Sequence, residues 1–137
     1  IVKETNMDLL TKVREQFKKD RFATEATGIT IEAVDENYAK CQLIVEEKHM
    51  NAAGSVMGGA LFTLADFTFA VAANVGGVLT VSVTSQITYL NPAKGKVLTA
   101  ETHCEKAGRR TCSFTIHITD EYDTQVANVV ITGMRVG

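Results

Sequence analysis

Hydrophobic positions along this chain change period, and each period predicts an element. Between residues 6 and 19 they recur at helical spacing: Leu9, Leu10, Val13 and Phe17 form one stripe, with Lys, Arg and Glu opposite. That pattern predicts an amphipathic helix covering an edge or end of a sheet, with Asn6 placed to cap it. Phe22 to Thr27 reads as a connector with a short turn. The period then drops to two. From Gly28 to Val34, Ile29, Ile31 and Ala33 fall on one face and Thr30 and Glu32 on the other. Asp35-Glu36-Asn37 is a turn, and Tyr38 to Val45 is the partner strand, with Ala39, Cys41, Leu43 and Val45 inward.

The next stretch, Asn51 to Asn74, begins as a small-residue loop around Gly54. From Gly58 it predicts a helix that is apolar nearly all round, with Leu61, Leu64, Ala65, Phe69 and Ala72 at helical spacing. Gly76-Gly77 stops it. Four strand-like runs follow. Leu79 to Leu90 is rich in Val, Thr and Ser. Val97 to Lys106 alternates, placing Leu98, Ala100, Thr102 and Cys104 together. Thr111 to Thr119 puts Cys112, Phe114, Ile116 and Ile118 in, with Ser113, Thr115 and His117 out. Gln125 to Val136 closes the chain and is apolar on both faces. A helix apolar on every side cannot sit on the outside of a sheet. The order therefore predicts an α+β domain, a six-stranded antiparallel sheet wrapped around the long central helix. One domain over residues 1–137 is expected, with residues 1–20 as its N-terminal helix. The two-sided last strand suggests burial by another subunit.

Composition narrows the classes. Net charge is −2 with no basic block, which points away from nucleic acid. The central apolar run is too short and too interrupted for a membrane span. Three cysteines without CxxC spacing and three scattered histidines predict no metal site. Unpaired thiols fit a cytoplasmic protein.

One charge stands out. Asp66 is the only ionised side chain between Lys48 and Lys94. Burying a carboxylate costs several kcal/mol unless it is hydrogen-bonded or paired. Asp66 is therefore either a satisfied carboxylate at the helix rim or a catalytic base or nucleophile; on the residues alone both readings stand.

The combination of these runs resembles a known family. His49-Met50-Asn51-Ala52-Ala53-Gly54-Ser55-Val56-Met57-Gly58-Gly59, then Leu64-Ala65-Asp66, is similar to the PaaI-type acyl-CoA thioesterases of the hotdog fold, including the thioesterase superfamily member 2 group. The likeness continues through Val81-Ser82-Val83, Ile87 to Lys94 and Gly108-Arg109-Arg110, covering roughly residues 22 to 136. The resemblance implies hydrolysis of acyl-CoA without a cofactor, coenzyme A being part of the substrate. It implies that Asp66 activates water or attacks the carbonyl, and that the Gly58 amide binds the thioester oxygen. It matches Asn51 to a loop asparagine that helps hold the site, and Ser82 to a strand hydroxyl that orients the nucleophile; Thr84 and Ser85 are neighbouring alternatives. Arg109, Arg110 and Lys94 become candidates for the coenzyme A phosphates, a role suited to Arg. Turn-borne cations are otherwise ordinary solvated surface. Phe62, Met57 and Gly59 are expected to border the acyl group, although Phe62, Phe67 and Phe69 are equally read as core.

Spacing adds an argument of its own. Asp66 lies eight residues past Gly58, about 12 Å further along the axis at roughly 1.5 Å per residue. A donor and a base serving one carbonyl must both come within about 3 Å of the reacting atoms. The site therefore asks for Asp66 from one chain and Gly58 from another, hence a homodimer. The family likeness implies a homotetramer of two such dimers.

One position departs from the pattern. The family carries histidine just before the two glycines, and this chain has Met57, which cannot donate a hydrogen bond. That motivates an alternative, a non-hydrolytic acyl-CoA binding or sensing module. A third reading, a dehydratase or hydratase, ranks last because no histidine lies in or just before the central helix.

Overall fold

The computed structural model describes residues 6–136, and the side chains of residues 8–136. Helix α1 spans Asn6–Phe17. The Asn6 side chain and residues 1–5 lie outside the described part, and with them the expected cap. The stripe docks as its spacing demands: Val13 and Phe17 are buried, and the Phe17 ring meets Phe67 of the central helix edge-on at 5.7 Å. Arg14 secures the other side, donating from Nε and Nη2 to the Ile31 carbonyl at 2.9 and 2.7 Å. The connector Phe22–Thr27 is a wide π-helical turn closed by Gly28 at φ 88°, a left-handed conformation that favours glycine.

The strands are β1 Thr30–Asp35, β2 Tyr38–Ile44, β3 Thr80–Tyr89, β4 Val97–Ala107, β5 Thr111–Thr119 and β6 Gln125–Arg135. They form one antiparallel sheet in the order β1-β2-β4-β5-β6-β3. Helix α2, Gly58–Asn74, lies in the concavity of that sheet. Leu64, Ala65, Phe69, Val71 and Ala72 are buried with Ala39, Cys41, Leu43, Leu98, Ala100, Phe114, Ile116, Ile118, Val129 and Ile131. Phe69 stands over Gly133 of β6. A Cβ there would come within 2.8 Å of Cζ of Phe69 and 2.9 Å of the Cys112 sulfur, so only glycine lets helix and sheet close up.

Two expectations about strand faces are corrected, both at bulges. The β1–β2 register shifts between Ile31 and Ala33, so Val34 rather than Ala33 turns fully inward after Ile29 and Ile31. An extra residue resets the period of two. On β4, Leu98, Ala100 and Thr102 are buried as expected, but Cys104 is exposed. The last β2–β4 pair is Lys40↔Glu101, so Cys104 runs past the end of β2, just before the bulge between Cys104 and Lys106.

The far face of the sheet carries Glu101, His103, Thr115, His117 and Asn128, with His117 Nδ1 2.7 Å from the Asn128 side-chain oxygen. On the same face, Val130 and Met134 are 48% and 43% exposed. Strand β3 is the free edge beyond β6, and most of it is exposed.

Candidate active site

The start of α2 is organised by the residues before it. His49 is buried; its Nδ1 accepts the Glu46 N–H at 2.9 Å, and its Nε2 therefore carries the proton donated to the Thr27 carbonyl at 2.7 Å. His49 ties the loop to the π-turn and has no free nitrogen for substrate. Asn51 Oδ1 accepts the N–H groups of Ala53 and Ser55, both at 3.0 Å, and Gly54 turns the chain at φ 83°. Asn51 thus forms the turn that delivers the chain to Gly58, its own N–H donating to the Ser55 carbonyl at 2.7 Å and its carbonyl accepting from the Gly54 N–H at 3.1 Å. Met57 occupies the N-cap, has an extended backbone, makes no side-chain cap and is 56% exposed.

Helices begin with unpaired N–H groups. The Met57 carbonyl accepts from Ala60 and Leu61 at 3.0 and 3.3 Å, but among the described residues neither Gly58 nor Gly59 N–H meets an acceptor. Both amides lie at the positive end of a helix of 17 residues. A cleft lined by Ser55, Val56, Gly58, Leu61, Tyr89, Leu90 and Asn91 opens on one side of this start. A second, lined by Phe22, Ala26, Met57, Gly59, Ala60 and Thr63, opens on the other.

Asp66 lies two turns further on. The sheet and the N-terminal segments cover most of α2, leaving Gly59, Phe62, Thr63, Asp66, Ala70 and Asn74 as its less buried stripe. Burial, then the Asp20 carboxylate, pushes the Asp66 carboxyl above its ordinary range. Among the described residues no hydrogen bond or ion pair satisfies it. Of the other nucleophiles, the buried Cys41 thiol is held up at about 12 and the Cys104 thiol is also raised, so neither supplies much thiolate near neutrality.

The remaining expected residues are dispersed within one chain. Ser82 pairs with Gly133, so it lies on the helix-facing side of the sheet, but on the exposed edge strand. Phe62 is half-buried beside Asp66, whereas Phe67 and Phe69 are core. Lys94 borders a cleft with Gly54, Ser55 and Val56, at the N-terminal end of α2. Arg109 borders a different cleft with Ala73 and Gly76, at the C-terminal end. At roughly 1.5 Å per residue the two cations stand at opposite ends of an element about 25 Å long.

Residues 53–127 match the thioesterase superfamily. The chain belongs to that family. This thioesterase-superfamily chain is 35% identical to the acyl-coenzyme A thioesterase PaaI of Escherichia coli over 104 residues, 75% of this chain and 74% of that one. Its fold is the hotdog fold of the E. coli PaaI structure, from the phenylacetic acid degradation operon: TM-score 0.88, 28% identity, with 97% of both chains covered. A hypothetical thioesterase protein from Streptococcus pneumoniae solved with coenzyme A superposes with TM-score 0.81 and 27% identity, over 88% of this chain and 97% of that one. Among the described residues no helix is long and apolar enough to cross a membrane.

Two features of the thioesterase-superfamily site escaped the sequence reading. Tyr89 ends β3 against Gly58, and its place in a run read as a strand from its Val, Thr and Ser content carried no sign of that contact. Asp120, in the connection between β5 and β6, is buried and takes four backbone N–H groups: Lys94 and Gly95 on Oδ2, Tyr122 and Thr124 on Oδ1. Glu121 takes those of Lys96 and Val97. Together they fix the loop that walls the Gly58 cleft. The Asp-Glu pair between two strands was the available signal.

Proposed function

We propose that this chain hydrolyses acyl-coenzyme A thioesters, in a homodimer whose two sites each combine Gly58 of one subunit with Asp66 of the other. The observation that carries the reading is the pair of features on α2: open amides at Gly58 and Gly59, and a partly buried carboxylate with no partner among the described residues. The Gly58 N–H stabilises the oxygen as it gains charge, an effect of about 3 kcal/mol per donor. Asp66 takes a proton from water as the water oxygen attacks the carbonyl carbon. The tetrahedral intermediate then expels coenzyme A as its thiolate, leaving the free acid; the proton passes on to the thiolate and solvent. Direct attack by Asp66 would give an anhydride that water opens, with the same products. No metal or redox cofactor enters either course. Ser82, on the helix-facing side of the edge strand, orients the partner's Asp66. Asn51 shapes the loop under the thioester, Met57, Gly59 and Phe62 border the acyl group, and Lys94 of the subunit that supplies Gly58, with Arg109 and Arg110 of the subunit that supplies Asp66, attract the phosphates.

The test is thiol release across a panel of aryl and straight-chain acyl-CoAs. Wild type turns over at least one of them, and Asp66→Asn lowers kcat by two or more orders of magnitude while retaining its thermal transition. Unchanged hydrolysis in Asp66→Asn removes Asp66 from the mechanism.

A second reading has one observation behind it. Met57 sits at the N-cap with no hydrogen-bonding capacity, which favours a module that binds acyl-CoA without efficient hydrolysis. Tight binding with negligible turnover, restored by Met57→His, would select it.

A further inference from the structure

Tyr89 sits opposite Ala127 on the helix-facing side of the sheet. Its ring lies directly on Gly58: a Cβ built there would stand 2.8 Å from the phenol oxygen, 2.9 Å from Cζ and 3.1 Å from Cε1. The contact explains the missing side chain at position 58, and it also locates the hydroxyl. Ordinary covalent geometry puts a Cβ about 2.5 Å from its own nitrogen, so the Tyr89 oxygen lies within about 5 Å of the Gly58 nitrogen. In a helix the Cα–Cβ bond tilts towards the N-terminus, the direction in which the Gly58 N–H also points. Two donors so placed can meet on one oxygen, each at about 2.9 Å. Among the described residues the Tyr89 hydroxyl has no hydrogen-bond partner, and the side chain is 55% exposed in the Gly58 cleft.

We propose that the Tyr89 hydroxyl is the second hydrogen-bond donor to the substrate's thioester oxygen, beside the Gly58 amide, making Tyr89 a catalytic residue. This rests on the acyl-CoA hydrolase reading above. It answers the gap at position 57, where methionine offers no donor to the same opening. The hydroxyl keeps its proton throughout; the water's proton goes to Asp66 and the sulfur leaves as thiolate, so Tyr89 contributes only to holding the developing charge.

Tyr89→Phe isolates the hydroxyl, because the ring that packs on Gly58 is retained. With the best acyl-CoA, kcat falls about a hundredfold to a thousandfold, the scale of one lost oxyanion donor. A binding measurement in an Asp66→Asn background separates this from packing. Tyr89→Phe weakens an acyl-CoA but not the alkyl thioether of coenzyme A, which lacks the carbonyl oxygen. A Tyr89→Phe enzyme with wild-type kcat, or equal weakening of both ligands, overturns the proposal. Absence of turnover by wild type on every acyl-CoA overturns the hydrolase reading and this inference with it, and is recognised in the wild type before any variant is made.

Discussion

Asp66 occupies a position that suits chemistry better than stability. Burial and Asp20 raise its pKa, so the folded chain binds that proton more tightly than the unfolded chain, whose carboxyl titrates near 3.9. The sign follows from linkage: above the folded pKa the ionised group costs stability, and below about pH 3.9 the cost is gone. Asp66→Asn is therefore expected to raise the thermal midpoint at pH 7, with the advantage shrinking as the pH falls towards 4. Calorimetry at several pH values checks it; a variant less stable than wild type at pH 7 contradicts it. The oddity of Asp66 was legible in the sequence, since a lone carboxylate in an apolar helix is conspicuous, but the residues alone left open whether it is a satisfied rim carboxylate or a catalytic group. Asn51 was half legible: its turn is present, with two backbone N–H groups on Oδ1. Tyr89 was not legible, because its role depends on a long-range contact with a glycine in another element.

At the scale of elements, alternation disclosed β1, β2, β4 and β5 and the helical period disclosed α1 and α2, because burial on one face imposes those periods directly, while β3 was read from its composition and β6 from apolar residues on both faces. The bulges stayed hidden. One inserted residue leaves no trace in polarity when Ala33 and Val34 are both apolar. The clamp at the β5–β6 turn was hidden too, since its partners are backbone groups, which sequence does not distinguish. Desolvation works against ionised Asp120, but the N–H groups of Thr124, Gly95 and Lys94 outweigh it and hold the carboxyl well below the usual carboxylate range. A depressed folded pKa supplies stability that is present above the unfolded value of about 3.9 and lost as the pH falls below it. Replacing Asp120 with Asn leaves one oxygen for two pairs of N–H donors and sets an amide against the other pair. Urea midpoints are expected to drop at pH 7 for Asp120→Asn, with a shallower decline between pH 4 and pH 2 than wild type. Parallel acid limbs in the two proteins would sink the assignment.

At the scale of the whole molecule, the separation of Gly58 from Asp66 along one helix becomes a statement about assembly. Asp66→Asn and Gly58→Ala are each expected to be nearly inactive, the second because its methyl would collide with Tyr89. In a mixed dimer, one of the two sites unites the intact Gly58 of one subunit with the intact Asp66 of the other. Refolding the two variants together at equal amounts gives half mixed dimers by chance, each with one working site, hence about a quarter of wild-type activity. Activity no higher than that of the separate variants would show that the sites are not shared. The outward-facing Val130 and Met134 leave an apolar patch on the far face of the sheet, where the tetramer implied by the family likeness would have room to pair its dimers.

The strand order also has a consequence in time. Among the described residues, strand β3 finds its only partner in β6, with pairs running from Tyr89↔Ala127 to Thr80↔Arg135. During synthesis, ribosomes at about 5–20 residues per second expose β3 for seconds before β6 exists. Throughout that interval Val81, Val83 and Ile87 present a strand with both edges open, the geometry most prone to stray pairing between chains. Its threonines and serines, Thr80, Ser82, Thr84, Ser85 and Thr88, keep that stretch wet while it waits. The hydroxyl-rich composition that made β3 look merely strand-like thus also suits a segment that must stay unpaired until β6 has been made.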